Sequence, residues 1–475
     1  MRIRFLLDGE IVTLDDIDPT ATVLEMLRMV LHRTGTKEGC AEGDCGACTV
    51  LLGELDDEKI IWRAVNSCIT FLPMLDGKAL LTVESLGGQH PVQQEMVARH
   101  GSQCGFCTPG IVMSLYGRTI GALGAEQTPA DVLSGNLCRC TGYGPILEAA
   151  EAVGRHPRDD QSTIKLLQTL RRETAETQPL NEAALAERCA FIPRSVDDLA
   201  ALYLAHPQAV LVAGATDVGL WVTKRQRLLN EIIFIGDIKD LRCIEESPDG
   251  LRLGAAVRYV EAQAALGRLH PDLGELVRRI AGTQIRNAGT IGGNIANGSP
   301  IGDMPPALIA LDTALTLRRG NTRRQIKLEE FFITYGKQGR HPGEFVESLF
   351  IPRPVEQEIV KISKFSKRFD SDISAVCGAV RLNVQAGQII DVRLAFGGMA
   401  GTPKRAHKTE AFLQNKAFSE ENLKIAAKML AEDFAPLSDL RGSSAYRLTV
   451  AGHLLHRLWA ENQGELTSVL ELHHG

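Results

Sequence analysis

Three cysteines fall within nine residues in the run Cys40-Ala-Glu-Gly-Asp-Cys45-Gly-Ala-Cys48, and a fourth, Cys68, follows. The spacing C-x4-C-x2-C…C is that of a loop holding a 2Fe–2S cluster on four thiolates. It constrains the fold more than any other stretch. The bridging sulfides of such a cluster need hydrogen-bond donors, so the chain must wrap tightly and turn backbone N–H groups inward. Gly39, Gly43 and Gly46 supply the unusual φ values and the close approach. Zinc sites usually show paired C-x2-C knuckles, so the full spacing together with the glycines makes a cluster the reading for this first set.

A second set follows: Gln103-Cys104-Gly-Phe-Cys107-Thr-Pro-Gly110, then Asn136-Leu-Cys138-Arg-Cys140-Thr-Gly142. By spacing alone C-x2-C…C-x-C is ambiguous, because four thiolates also suit zinc. The neighbouring loop favours iron: two iron–sulfur sites in series make an electron wire, whereas a cluster beside an unrelated zinc does not. Eight of the 11 cysteines belong to these two sets, and Cys189, Cys243 and Cys377 read as core residues. Clustered thiols of this kind are metal ligands of a reducing compartment, since disulfide frameworks belong to small secreted chains. The N-terminus turns polar too early for a signal peptide, and no apolar run approaches the ~20 residues that span a bilayer. A cytoplasmic protein is expected. A net charge of −6 argues against a nucleic-acid partner.

The length, 475 residues, allows about three domains. Residues 2–7 and 10–14 flank Asp8-Gly9, a hairpin signal. A helical period runs over 22–31, and 49–52 and 59–62 read as strands. Residues 1–84 are therefore expected to form a ferredoxin-like β-grasp domain around the first cluster. Helices over 92–100, 110–123, 129–134 and 144–153 make 85–155 a four-helix bundle with the second cluster at one end. Residues 156–188 are polar and read as a surface linker, part helical near 164–170 and easily cut. An α+β domain over 189–355 follows, with an α+β subdomain over 356–475 ending in a frayed His473-His474-Gly475. Val210-Leu-Val-Ala-Gly214-Ala-Thr-Asp217 is a strand entering a glycine turn, and Ala288–Asp303 is a second loop dense in Gly, Asn, Ser and Thr. Two such loops suit a nucleotide, although neither is G-x-G-x-x-G nor a P-loop.

The two cysteine motifs, with Gly35-Thr-Lys-Glu-Gly-Cys40 and Cys48-Thr-Val, resemble those of the xanthine dehydrogenase family of molybdenum hydroxylases, and the two glycine loops resemble its flavin loops. The resemblance implies 2Fe–2S ligation by Cys40, Cys45, Cys48 and Cys68, and by Cys104, Cys107, Cys138 and Cys140. It implies FAD held by Leu211, Val212, Ala213, Gly214, Ala215, Thr216, Asp217 and Val218, with Thr290, Gly293, Asn294, Asn297, Asp303, Leu349 and Lys364. Ile280 stands where some members stack an aromatic residue on the flavin. Gln103 and Cys140 would face the pterin of a molybdenum cofactor in a partner chain, and Arg368 and Asp372 would border access for NAD+. On charge pattern alone, Lys364–Ile373 reads as a solvated loop.

No stretch here matches the family's molybdenum-binding part, so no substrate-hydroxylating residue is expected in this sequence. The resemblance implies a large molybdopterin-binding partner subunit, a dimer of such pairs, and oxidation of hypoxanthine or xanthine with electrons passing through both clusters to FAD and NAD+. Two other readings stand beside it. One is the same wiring in a hydroxylase for another N-heterocycle or an aldehyde; the other is a non-catalytic iron–sulfur flavoprotein electron carrier.

Overall fold

The computed structural model describes residues 1–177, 183–185 and 188–468. Five strands open the chain: β1 (Ile3–Leu7), β2 (Glu10–Leu14), β3 (Thr49–Asp56), β4 (Lys59–Asn66) and β5 (Ala79–Leu81). They form one sheet in the order β2-β1-β5-β3-β4, with β1 and β5 parallel and the other pairs antiparallel. Asp8 and Gly9 both take positive φ, 51° and 93°, which matches the right-handed twist of a two-residue hairpin. The expected helix over 22–31 starts on a Thr22–Glu25 capping box, but after one α turn it widens into a π-helical stretch, Met26–Val30. With β5, this completes the expected β-grasp.

The next segment is helical: Pro91–Ala98, Thr108–Ile120, Pro129–Val132 and Gly144–Ala152. Pro sits in the first turn of each, where its missing N–H costs nothing. Val92, Met96, Ile111, Leu115, Leu133, Ile146 and Ala149 form the shared core.

Residues 161–177 depart from the expected surface linker. They form a helix whose Leu167 and Leu170 are fully buried against Leu6, Leu51, Leu55 and Trp62 of the first sheet. Asp160 accepts from the Trp62 indole at 2.8 Å, and Arg171 donates to the Leu55 carbonyl at 2.6 Å. The part helix expected over 164–170 is thus present and longer, and what its charged neighbours hid is that the face of Ile164, Leu167 and Leu170 packs inward.

Four short strands follow, β6 (Ala183–Leu185), β7 (Arg188–Phe191), β8 (Val210–Val212) and β9 (Glu231–Phe234), in the order β6-β7-β9-β8, with β7, β9 and β8 parallel. Their apolar faces continue the β-grasp core: Ala190, Val212, Ile232 and Phe234 cluster with Phe5, Val23, Leu27, Leu52 and Phe71.

By packing, the chain divides into two compact units. The first is Met1–Arg242 with Arg258–Glu261 and Ala281–Thr290; the second is Cys243–Val257, Ala262–Ile280 and the chain from Ile291 onward. The second unit contains β10 (Ile244–Ser247), β11 (Gly250–Gly254), β12 (Ala314–Arg319), β13 (Thr322–Lys327), the small pair β14 (Phe332–Thr334) and β15 (Lys337–Gln338), and β16 (Phe345–Pro352). Five of these form a sheet ordered β10-β11-β16-β12-β13. Then β17 (Glu358–Phe365), β18 (Val376–Gln385), β19 (Gln388–Gly397) and β20 (Lys404–Arg405) make an antiparallel sheet. The helices Glu420–Asp433 and Ser444–Asn462 cover it through Leu423, Leu430, Leu454 and Leu458. Cys377 is buried, as expected of a core residue, whereas Cys189 and Cys243 are only half-buried; His473 and His474 lie outside the described residues. Among the described residues no helix is long and apolar enough to cross a membrane.

Inside the first unit lies a network of buried charge. Glu54 on β3 binds Arg63 of β4, Arg258 at 2.8 Å, Arg242 at 3.1 Å and Lys78 at 3.5 Å. Lys78 also reaches Asp237 at 2.7 Å, and Glu261 pairs with Arg242 and Arg258 at 2.6 and 3.0 Å. Burial alone would raise the Glu54 pKa, but Arg258, Arg63, Lys78 and Arg242 hold it well below the usual carboxylate range. A carboxylate depressed in this way stabilises the fold above its ordinary value of 4.5, and the contribution is lost as the pH falls toward the folded-state value. Glu54→Gln leaves these cations facing a neutral amide. It should cost about 3–5 kcal/mol in denaturant unfolding at neutral pH and flatten the acid limb of the stability profile.

Candidate functional site

The first cysteine loop lies between the π-helical stretch and β3, and Cys68 follows β4. Ala41, Gly43 and Gly46 all take positive φ, which curls the backbone around Cys40. The amides of Glu42, Asp44 and Cys45 point at the Cys40 sulfur, at 3.4, 3.3 and 3.3 Å. Cys48 and Cys68 are buried with Leu24 and Ile69 beneath the loop. Contacts from Cys45 and Cys68 drive the Cys40 pKa down, and the same contacts drive those of Cys45 and Cys68 up. Four cysteines gathered in one loop region, with backbone N–H donors turned toward sulfur, are the donor chemistry a 2Fe–2S cluster requires.

The second set gathers at one end of the helices. Cys107 caps Thr108–Ile120, and Cys138 and Cys140 lie in the turn before Gly144–Ala152. Cys104 associates with Cys140, and Cys107 with Cys138. Burial and then the contact with Cys138 push Cys107 up to about 12. The amide of Cys138 donates to the Tyr143 hydroxyl at 2.8 Å, which fixes the turn. Gln103, Cys104, Phe106, Leu137, Arg139 and Cys140 are exposed, so this end presents a mixed apolar and polar surface. Among the described residues no group of three or more His, Cys, Asp or Glu is set to hold a single metal ion.

The expected flavin residues fall in both units. In the first, Leu211 and Val212 end β8, and Ala213–Asp217 form the turn into the helix Val218–Thr223. Ala215 takes φ 58°, and the amides of Gly214, Ala215 and Thr216 find no acceptor among the described residues. Donors left open in such a turn suit a phosphate. A Cβ on Gly214 would stand 1.8 Å from the Ala288 carbonyl oxygen, so only glycine lets the turn close against the 281–290 segment. A pocket of about 410 Å3, including its open mouth, lies at the carboxyl ends of β7, β8 and β9. Open parallel sheets take ligands at that edge. Its lining includes Ala213, Gly214, Gly236 and Thr290, with Arg63, Lys78, Arg258 and Asp237 of the buried charge network at its wall.

In the second unit, Gly293, Asn294 and Asn297 lie on the helix Ile291–Asn297, and Asp303 caps Met304–Ala310. The structure joins two expected residues here: Lys364 on β17 pairs with Asp303 at 2.7 Å, and Ser374 donates to the other Asp303 oxygen at 2.5 Å. The Asn294 side-chain oxygen is buried without a partner, an acceptor open to a ligand's donor. Leu349 is buried in the middle of β16, and Ile280 is buried after the helix Pro271–Arg278. Arg368 and Asp372 brace one another in the loop after β17. The Arg368 amide donates to Asp372 at 2.9 Å and its guanidinium to the Ser371 carbonyl at 2.8 Å. Burial opposes ionisation of Asp372, but this amide and the guanidinium hold its carboxyl below the usual range.

Several residues here were not singled out from the sequence. Arg279 donates to the carbonyls of Lys364 and Phe369 at 2.9 and 3.0 Å and lies 4.5 Å over the Phe369 ring. It therefore ties the Arg368 loop down. The pair Arg278-Arg279 just before Ile280 was a visible signal; the burial of Glu54 and Gln284 was not.

Comparison with known sequences agrees with this geometry. Residues 5–73 match a 2Fe-2S iron-sulfur cluster binding domain, and 82–151 match a second 2Fe-2S binding domain. Residues 185–354 match the FAD binding domain in molybdopterin dehydrogenase, and 361–462 the CO dehydrogenase flavoprotein C-terminal domain. Xanthine dehydrogenase from Emericella nidulans is 32% identical over 96% of this chain and 38% of its own length. Xanthine dehydrogenase/oxidase from Rattus norvegicus is 32% identical over 92% of this chain and 37% of its own. The chain thus spans well under half the length of these relatives. Among solved structures, a carbon monoxide dehydrogenase chain from Hydrogenophaga pseudoflava aligns with a TM-score of 0.54 at 29% identity, covering 57% of this chain and 96% of that one.

Two cluster domains followed by a flavin domain define an iron–sulfur flavoprotein that moves electrons. The chain belongs to the molybdenum hydroxylase family and corresponds to its iron–sulfur and FAD part. The match over 82–151 also decides between zinc and iron for the second cysteine set, in favour of a 2Fe–2S cluster.

Cys45→Ser exchanges a soft thiolate for a harder, less acidic ligand. It should lower bound iron from about four to about two per chain and remove one of two reduced-state magnetic signals. Metal analysis and low-temperature spin resonance check both.

Proposed function

We propose that this chain is the electron-transfer part of a xanthine dehydrogenase, working with a separate molybdopterin-bearing subunit that oxidises hypoxanthine and xanthine. The observation that carries the reading is the order cluster, cluster, flavin on one chain, aligned with relatives named xanthine dehydrogenase along nearly its whole length. When bound, the clusters supply one-electron steps and FAD supplies the exchange between single electrons and a hydride equivalent.

The residues have separate tasks in this reading. Cys40, Cys45, Cys48 and Cys68 hold one cluster, and Cys104, Cys107, Cys138 and Cys140 hold the other. The exposed end with Gln103, Phe106, Leu137 and Cys140 meets the molybdenum subunit. Gln103 offers a donor and an acceptor there, which suits a pterin edge. The open amides of Gly214, Ala215 and Thr216 bind the FAD pyrophosphate, and the buried oxygen of Asn294 accepts from the nucleotide. Ile280 covers the flavin with an aliphatic side chain. The Asp303–Lys364 pair keeps a charged ammonium in place beside the flavin. NAD+ takes the electrons at the loop of Arg368 and Asp372, and the assembly is a dimer of heterodimers in the cytoplasm.

A hydroxylase for another heterocycle or an aldehyde would use the same wiring. The molybdenum subunit separates the two readings, because the substrate binds there.

The cofactor-loaded chain alone should have its flavin reduced by NADH and pass electrons on to an artificial dye, while xanthine leaves its spectrum unchanged. Adding the molybdenum subunit should restore xanthine-dependent NAD+ reduction. Bleaching by xanthine in a molybdenum-free sample would overturn the division of labour. In the complete enzyme Arg368→Ala should raise the KM for NAD+ and leave reduction by xanthine unaltered, which steady-state and single-turnover kinetics distinguish.

A further inference from the structure

One buried amide joins three parts of the first unit. Gln284 lies in the segment Ala281–Thr290, within the region matched to the FAD binding domain, and is 1% exposed. Its side-chain nitrogen donates to Thr49 Oγ1 at 3.0 Å, Asn136 Oδ1 at 3.0 Å and Ser114 Oγ at 3.2 Å. Thr49 follows Cys48 directly, Asn136 precedes Cys138 by two residues, and Ser114 stands on the helix that Cys107 caps.

The donors and acceptors leave one consistent assignment. Thr49 spends its hydroxyl proton on the Gly46 carbonyl at 2.6 Å, and Ser114 spends its own on Asn136 Oδ1 at 2.7 Å. The Asn136 amide nitrogen donates to the Gly46 carbonyl at 3.2 Å, so its oxygen can only accept. Three acceptors therefore converge on the Gln284 amide nitrogen and share its two protons, and only a donor serves them. Around this hub the two cysteine loops touch by backbone. The Leu137 amide donates to the Cys45 carbonyl at 2.9 Å, and a Cβ on Gly46 would stand 2.1 Å from the Gly135 carbonyl oxygen.

We propose that Gln284 is a positioning residue that sets how the two cysteine loops sit against each other, and so controls the electron step between the two clusters. The step is a one-electron exchange: one cluster is oxidised by one electron as the other is reduced by one, and no bond is made or broken. The proposal rests on the eight cysteines being the ligands. A buried network of this kind rigidifies only when every member is satisfied, so an acceptor in place of the donor should loosen the junction.

The test uses the loaded chain in three variants: Gln284→Glu, which keeps the shape and turns the donor into an acceptor; Gln284→Leu, which keeps the volume; and Ser114→Ala, which removes one acceptor of the Gln284 amide together with the hydroxyl that donates to Asn136, at a residue that is not itself a ligand. The readouts are iron per chain, the magnetic splitting between the two reduced clusters, and the rate of electron passage from one to the other in rapid-mixing experiments. Gln284→Glu and Gln284→Leu should retain iron and flavin, alter the splitting and slow the passage a few-fold, with Ser114→Ala showing a smaller change of the same sign. A merely structural role would lower the melting temperature and leave the splitting of the intact molecules untouched. Splitting and rate equal to wild type in the iron-retaining variants would overturn the proposal. So would iron loss in both Gln284 variants combined with an unchanged splitting in Ser114→Ala. Failure of the underlying assignment looks different: iron would survive replacement of the cysteines themselves.

Discussion

A carboxylate sealed from water must be answered by cations, and Glu54 draws its partners from three places in the chain. Arg63 comes from the adjacent strand, Lys78 from the turn before β5, and Arg242 and Arg258 from beyond β9. Stripping water from these groups is costly, so the arrangement holds only while all of them are present. It therefore locks the β-grasp domain to segments more than a hundred residues away. The apolar contacts of Phe5, Leu52 and Phe71 with Ile232 and Phe234 supply the burial that makes the charge network strong. The pocket at the ends of the parallel strands is walled in part by the same network, through Arg63, Lys78, Arg258 and Asp237.

Electron transfer asks the protein to hold redox groups at fixed separations and little else. The structure meets this with rigid backbone contacts. The first cysteine loop is curled by residues of positive φ and stitched by amides to sulfur. The second loop reaches it through Leu137 and Cys45, and the amide of Gln284 closes the junction. By contrast the surface at Gln103, Phe106 and Cys140 is open. The turn at Gly214, Ala215 and Thr216 keeps open amides, which is the preorganisation an anionic ligand needs.

The second unit handles charge in a more local way. Asp303 and Lys364 neutralise one another, and Arg279 pins the loop that carries Arg368 and Asp372. Two arginines stacked near Phe369 give that loop a defined position without burying it. These are short-range devices of a sheet and its neighbouring helices, separate from the long-range network around Glu54.

The cysteine spacing, the Asp8-Gly9 hairpin, the proline-started helices and the two glycine loops were legible in sequence because each is a local pattern tied to local geometry. Strand β5, only three residues long, carried too little pattern to be seen, and the helix Gln161–Thr177 was legible only in part, its charged residues masking the fact that one face is buried. Cys189 and Cys243 looked like core positions by residue type, yet they are half-buried, since exposure depends on which elements come to cover them. The partners of Glu54, the hub at Gln284 and the clasp of Arg279 were decided by tertiary structure alone. An isolated glutamate, glutamine or arginine carries no mark of its partner in the chain. Only folding removes the water that would otherwise satisfy it, and only then does the choice of partner become a structural fact.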